Sequence, residues 1–220
     1  MNVNLITPGF FGREVPADSR RIEFDALNEQ LLYLNKKIDY LFIGDSITHR
    51  WELNAYFKTD KLLVNRGIGG DHSEFLIRRF DADCVQLKPE YAVIMIGIND
   101  IFRTHPDWRR PTETEEEVLS KFMNNIHGMV QKCKENGIIP VLCSVLPSKV
   151  EAPYNCEVRW KLTSQMNEFL KSLGEIYVDY HSALAYNGVS MSPEITPDGV
   201  HVNAKGYEIM AETLKKYVEL

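Results

Sequence analysis

Five short apolar runs, each stopped by a turn, most constrain what this chain can become. They occupy residues 39–43, 61–65, 91–96, 138–145 and 176–178. Their apolar character is continuous rather than alternating, with many β-branched residues. That pattern suits strands buried on both faces of a parallel sheet.

Helical spacing fills the gaps. Ile22, Leu27, Leu31 and Leu34 form a stripe ahead of the first run. Val118, Phe122, Ile126 and Met129 form another, with Leu119, Met123 and Val130 beside them. Thr114 and Glu117 make a capping box for that helix, and Gly137 is its C-terminal stop. Residues 160–173 read as a helix ahead of Gly174. Asn203 can cap a last helix that buries Tyr207, Met210, Leu214 and Val218. Strands alternating with helices predict right-handed crossovers and a three-layer α/β/α sandwich around a parallel sheet of about five strands. A length of 220 residues predicts one domain over 1–220, with 1–38 as an N-terminal extension and first helix packed on it.

Composition narrows the function. Hydrophobic residues make up 44% and charged residues 25%, as in ordinary soluble domains. A net charge of -6 argues against nucleic acid and against docking on anionic lipid. Cys84, Cys133, Cys143 and Cys156 fit no zinc, redox or disulfide spacing and read as reduced, buried thiols. Residues 1–12 have neither a basic region nor a long apolar run, and no window is apolar enough to span a membrane. The expected location is cytoplasmic, without membrane insertion.

The chemically suggestive residues follow strand ends, where ligands bind in open α/β sheets. The first strand leads into Gly44-Asp45-Ser46-Ile47-Thr48. A serine at a strand-to-helix turn presents its hydroxyl at the sheet's mouth and its N–H at a helix start, suiting attack on a carbonyl. The same serine is also a favoured helix cap. The second strand leads into Asn65-Arg66-Gly67-Ile68-Gly69-Gly70-Asp71. This glycine block is either a tight turn or a close backbone approach to a ligand. It lacks the Walker Lys-Ser/Thr and the dinucleotide spacing. After the third strand come Gly97-Ile98-Asn99-Asp100, where Asn99 is either a turn residue or a side-chain oxyanion donor. Near the C-terminus, Asp198 stands three residues ahead of His201. Histidine can activate a serine, and a carboxylate can fix its tautomer. His49 and His72 follow the first two turns and read as pocket rim or ordinary surface.

Taken in order, Gly-Asp-Ser, the glycine block, Gly-x-Asn-Asp and Asp-x-x-His resemble the four blocks of the SGNH (GDSL-like) hydrolase family. The likeness runs from about Asp39 to the end. The stretch from Asn65 to Asp71 resembles the branch containing the intracellular platelet-activating-factor acetylhydrolase catalytic subunits and bacterial acyl and carbohydrate acetylesterases. The resemblance implies a flavodoxin-like fold, Ser46 as nucleophile, His201 as general base and then acid, and Asp198 as its orienting carboxylate. It implies an oxyanion hole of the Ser46 and Gly70 N–H groups and the Asn99 amide. Asp45 is expected to brace the nucleophile turn. No metal or organic cofactor is implied.

The implied partner is a small-molecule ester, with short acyl and especially acetyl esters first and lipid acyl or thioester substrates second. A non-catalytic ligand-binding module is the reading of another class. The loop over residues 101–111 is expected to overhang the site, where Phe102, Trp108 and its arginines could bind a sugar face, an anionic group or a second copy in a homodimer; an ordinary ordered loop is the preferred reading. Residues 191–197 are expected near the mouth because they lead into Asp198.

Overall fold

The computed structural model describes residues 4–12, 15–105, 112–149 and 156–220. The helices, in chain order, are α1 (Asp18–Leu34), α2 (Ser46–His49), α3 (Leu53–Tyr56), α4 (Ser73–Asp83), α5 (Ile98–Ile101), α6 (Glu115–Glu135), α7 (Cys156–Ser172), α8 (Tyr180–Leu184) and α9 (Ala204–Leu214). The strands are β1 (Tyr40–Gly44), β2 (Leu63–Gly67), β3 (Tyr91–Met95), β4 (Ile139–Cys143) and β5 (Ile176–Val178). They form a parallel sheet in the order β2-β1-β3-β4-β5.

All five residues of β1 are buried, as its central place requires. Leu41 faces Val64 on one side and Ala92 on the other in register. The chain steps from β1 out to β2, then returns to place β3 on the opposite side of β1. Right-handed connections then put α3 on one face of the sheet and α4, α6 and α7 on the other. α9 joins α3 and α8, while α1 joins α4. The result is the three-layer α/β/α architecture expected from the strand-helix alternation.

Local signals explain the longest helix. The Thr114 hydroxyl accepts from the Glu117 N–H while Glu117 accepts from the Thr114 N–H, closing a capping box. Val118, Phe122, Ile126 and Met129 are buried along that helix. Asn203 caps α9 by accepting from the Gly206 N–H, and Tyr207, Met210, Leu214 and Val218 are buried behind it.

Two expectations are corrected. The second strand runs two residues later than the apolar run suggests, because Asn65 and Arg66 find internal partners. Asn65 donates to the Thr48 and Trp51 carbonyls, and Arg66 donates to Asn28. The stripe on α1 is also rotated. Ile22 is 78% exposed and Leu34 57% exposed, whereas Arg21, Phe24 and Asn28 are buried. Arg21 pairs with Asp18 and Asp25, and Asn28 donates to Asp83, so these polar groups turn inward with partners.

Candidate active site

The strand order reverses between β1 and β3, opening a crevice beyond their carboxyl ends. Ser46 begins α2 directly after β1, and Asn99 lies in α5 directly after β3, so both stand at that crevice. As the first residue of α2, Ser46 has an N–H with no intrahelical acceptor. Asp45 accepts from the Ile47 N–H at 2.9 Å and shapes the turn from below. The cap of α2 is therefore Asp45, which leaves the Ser46 hydroxyl outside the capping role.

The Ser46 Oγ lies 2.8 Å from His201 Nε2. His201 Nδ1 lies 2.6 Å from Asp198 Oδ2. The other Asp198 oxygen accepts from the N–H groups of Val200 and His201 at 3.0 and 2.8 Å. Partial burial works against ionisation of Asp198, but these hydrogen bonds from His201 and Val200 outweigh it and hold the carboxyl at about 2. A carboxylate can only accept, so the imidazole proton sits on Nδ1 and Nε2 is left to accept from the serine hydroxyl. The loop carrying this pair is pinned where the Lys149 N–H donates to the Gly199 carbonyl at 2.8 Å.

The glycine block forms the second wall. Gly67 ends β2 so close to α2 that a Cβ there would lie 2.2 Å from the His49 nitrogen. Its N–H donates to Asn65 Oδ1, so it is committed to the turn. The Gly69 N–H donates to His49 Nδ1 at 3.2 Å. Gly70 has φ of +77°, a conformation glycine adopts without penalty, and among the described residues its N–H meets no acceptor in the chain. The Asn99 amide donates to the Asp71 carbonyl at 2.9 Å. An amide carries two hydrogens, so one remains for a ligand.

A buried ionic layer supports these turns. Arg79, fully buried, contacts Asp71 at 2.8 Å and Asp83 at 2.9 Å. It also donates to the Gly44 carbonyl at 3.2 Å, just before the serine turn. Burial raises Asp71 to about 6, opposed by the charge and hydrogen bond of Arg79. Asp100 accepts from the Ser73 N–H and hydroxyl, joining the end of β3 to the start of α4. Burial pushes Asp100 up to about 6 despite those bonds. Asp45 is pushed up to about 7 by burial, opposed by the Ile47 N–H and reinforced by Asp71 and Asp100.

Of the residues singled out from sequence, Ser46, His201 and Asp198 form one hydrogen-bonded chain. Gly70 and Asn99 line the crevice and Asp45 underlies it. Arg79 gave no sequence signal, because an arginine eight residues past a glycine turn reads as helix surface. His49 is exposed, as the surface or rim reading expects, and its Nδ1 accepts from the glycine block. His72 stands at the cap position of α4 with its ring against Phe75. Where it is described, the 101–111 loop follows the ordinary-loop reading. Phe102 packs on the core beneath the Arg159 guanidinium. Arg103 is paired with Glu74 at 2.6 Å and with Glu113. These two side chains are engaged by the protein itself, while Trp108 lies outside the described residues. Met191 and Ile195 are buried, so the approach to Asp198 is anchored. Among the described residues no cluster of three acidic, histidine or cysteine side chains is arranged to hold a metal, and no helix is long and apolar enough to cross a membrane.

Comparison with known proteins fits this geometry. Over 162 residues the chain is 25% identical to an acetylxylan esterase of Geobacillus stearothermophilus, covering 71% of each. It is 28% identical over 125 residues to the lipoprotein YqeF of Bacillus subtilis, covering 50% of this chain but only 49% of that relative's length. A solved structure from Bacteroides fragilis, a proposed acylhydrolase, superposes with a TM-score of 0.74 at 27% identity, covering 93% of this chain and 97% of the other. The model of the GDSL-like lipase/acylhydrolase family, a family of carboxylic ester hydrolases, matches residues 42–209, from within β1 to within α9. This chain belongs to that family.

Proposed function

We propose that the protein is a serine esterase that removes short acyl groups, acetyl first among them, through an acyl-enzyme intermediate. The observation that carries this reading is the chain from Ser46 through His201 to Asp198, with contacts of 2.8 and 2.6 Å. Ser46 attacks the acyl carbonyl while His201 Nε2 takes its proton. Negative charge develops on the carbonyl oxygen, facing the N–H groups of Ser46 and Gly70 and the free hydrogen of the Asn99 amide. The carbon–oxygen bond to the alcohol breaks, and the alcohol leaves with the proton from His201. A water then gives its proton to His201 and attacks the acyl-serine, releasing the acid and restoring Ser46. Asp198 holds the imidazole in the productive tautomer throughout. The acetyl preference leans on the likeness to an acetylxylan esterase.

Hydrolysis of nitrophenyl esters from acetyl to long acyl chains, by wild type and Ser46→Ala, tests this reading. Activity greatest on acetyl and lost by several orders of magnitude in the folded mutant is the expected result. Rates that climb with chain length would replace it with a lipid acyl or thioester hydrolase. A mutant as active as wild type would remove Ser46 from the chemistry.

A further inference from the structure

The glycine block presents a mechanical difficulty. Gly69 and Gly70 are adjacent, and paired glycines are the most flexible backbone available. Yet an oxyanion donor works only when its direction is fixed before the reaction. The block is held at its start, where Arg20 donates to the Gly67 carbonyl at 3.1 Å and Asn65 accepts from the Gly67 N–H. It is held at its end, where the Asp71 N–H donates to the Ile68 carbonyl and Asn99 donates to the Asp71 carbonyl. Among the described residues, the polar tether on the two glycines between is His49 Nδ1, which accepts from the Gly69 N–H. His49 ends the same helical turn that Ser46 begins. A Cβ on Gly69 would lie 3.6 Å from His49 Nδ1 and 3.8 Å from the Ser46 Cβ, so the tether sits against the nucleophile.

We infer that His49 is a positioning residue whose neutral imidazole holds the Ile68–Gly69 peptide, so that the adjoining Gly70 N–H, the oxyanion donor, is aimed only while Nδ1 is free to accept. The inference rests on the esterase reading above. As an acceptor, Nδ1 carries no proton, so the neutral ring is protonated at Nε2. A second proton would go to Nδ1 and set a donor against the Gly69 N–H. That contact would open and release the glycine pair.

The surroundings favour the neutral form. Burial, the Arg20 guanidinium from α1 and the neighbouring Arg50 all lower the His49 pKa, with Glu23 on α1 pulling weakly the other way. Glu23 is itself paired with Arg20 at 3.2 Å, which blunts its effect. His49 is therefore an acid-sensitive group, outside the Ser46–His201–Asp198 chain, that serves the same reaction.

The test is kcat and KM against pH on nitrophenyl acetate, for wild type, His49→Leu, His49→Asn and Ser46→Ala. Thermal melts verify that each variant is folded. His49→Leu should lower kcat at neutral pH by roughly tenfold, the effect of one neutral hydrogen bond, with KM within about twofold. Asparagine places an amide oxygen close to the Nδ1 position and cannot be protonated there, so His49→Asn should recover most of that loss. On the acid side, wild type should fall roughly tenfold further than a single ionisation allows. His49→Asn should follow a single ionisation throughout. A His49→Leu profile that overlays wild type would overturn the inference, as would a loss confined to KM or one that asparagine fails to restore. Failure of the esterase reading would register separately, as activity undiminished in Ser46→Ala.

Discussion

The side-chain amide of Asn99 reaches across the crevice and donates to the backbone carbonyl of Asp71 at 2.9 Å. That bond joins the turn after β3 to the glycine block after β2. It uses one amide hydrogen and leaves the other for a ligand. Asn99→Ala should therefore lower kcat about a hundred- to a thousandfold, the range for a single preorganised oxyanion donor, with little change in KM. Steady-state kinetics on nitrophenyl acetate checks it. An increase in KM at constant kcat would mean that the amide binds ground-state substrate instead.

Arg79 holds the layer beneath these turns together. It is fully buried with Asp71 and Asp83, and its removal would leave two carboxylates without their counter-charge. Arg79→Leu should destabilise the fold by about 3–5 kcal/mol, the cost of breaking one partner out of a buried ion pair. Urea unfolding of wild type and variant gives the difference. A loss below about 1 kcal/mol would mean that the carboxylates are reached by water or neutralised without it.

These inward-facing charges mark where the sequence stops being legible. The apolar runs announce β1, β3 and β4, where burial is nearly continuous, and the short edge strand β5, where Val178 is buried. The capping box of α6 and the Asn203 cap are readable because their chemistry is local, within three residues. Ser46 and Asn99 are legible too, since each follows a strand end, and the Asp198–His201 pair is legible from its three-residue spacing just ahead of α9. Periodicity fails where a polar side chain is buried with a distant partner. Arg66 extends β2 because Asn28, 38 positions away, accepts its Nε–H. Asn28, whose partner Asp83 lies 55 positions away, turns inward on α1 for the same reason. Contacts such as Arg79 with Gly44 or His49 with Gly69 join separate turns, and nothing in either turn alone foretells them.

Asp45 links stability to pH. Its folded carboxyl, raised from 3.8 to about 7 chiefly by burial, prefers the protonated form. A raised folded value means that the contribution to stability is complete below the unfolded value. It is lost as pH climbs from about 4 to about 7. Asp45→Asn keeps an acceptor for the Ile47 N–H and removes the buried charge. The variant should match wild type near pH 4 and gain on it by about 2–4 kcal/mol at pH 8. Asp198 runs the opposite way. Held at about 2, it contributes above its unfolded value and loses that contribution as pH falls below about 4. Thermal melts of both proteins at pH 4, 6 and 8 would show the gap widening with pH, and a constant gap would mean that Asp45 does not titrate in this window.

Asp198→Asn separates geometry from tautomer at the base. The asparagine oxygen can still accept from the Val200 and His201 N–H groups that Asp198 Oδ1 accepts from now, so the loop should keep its shape. The amide nitrogen then faces His201 Nδ1, and a donor there forces the imidazole proton onto Nε2. With the single ring proton on Nε2, that nitrogen would donate to Ser46 rather than accept from it. Turnover should fall by a hundredfold or more, toward the roughly ten-thousandfold seen when a triad carboxylate becomes an amide. Asp198 is 48% exposed on its side chain, so water can partly stand in for the carboxylate and the smaller end of that range is expected. The kcat of the variant, read beside its melting temperature, decides the matter. A large loss of kcat at unchanged stability is the signature of the wrong tautomer. An equal loss of both would make Asp198 a brace for the loop rather than the partner of the base.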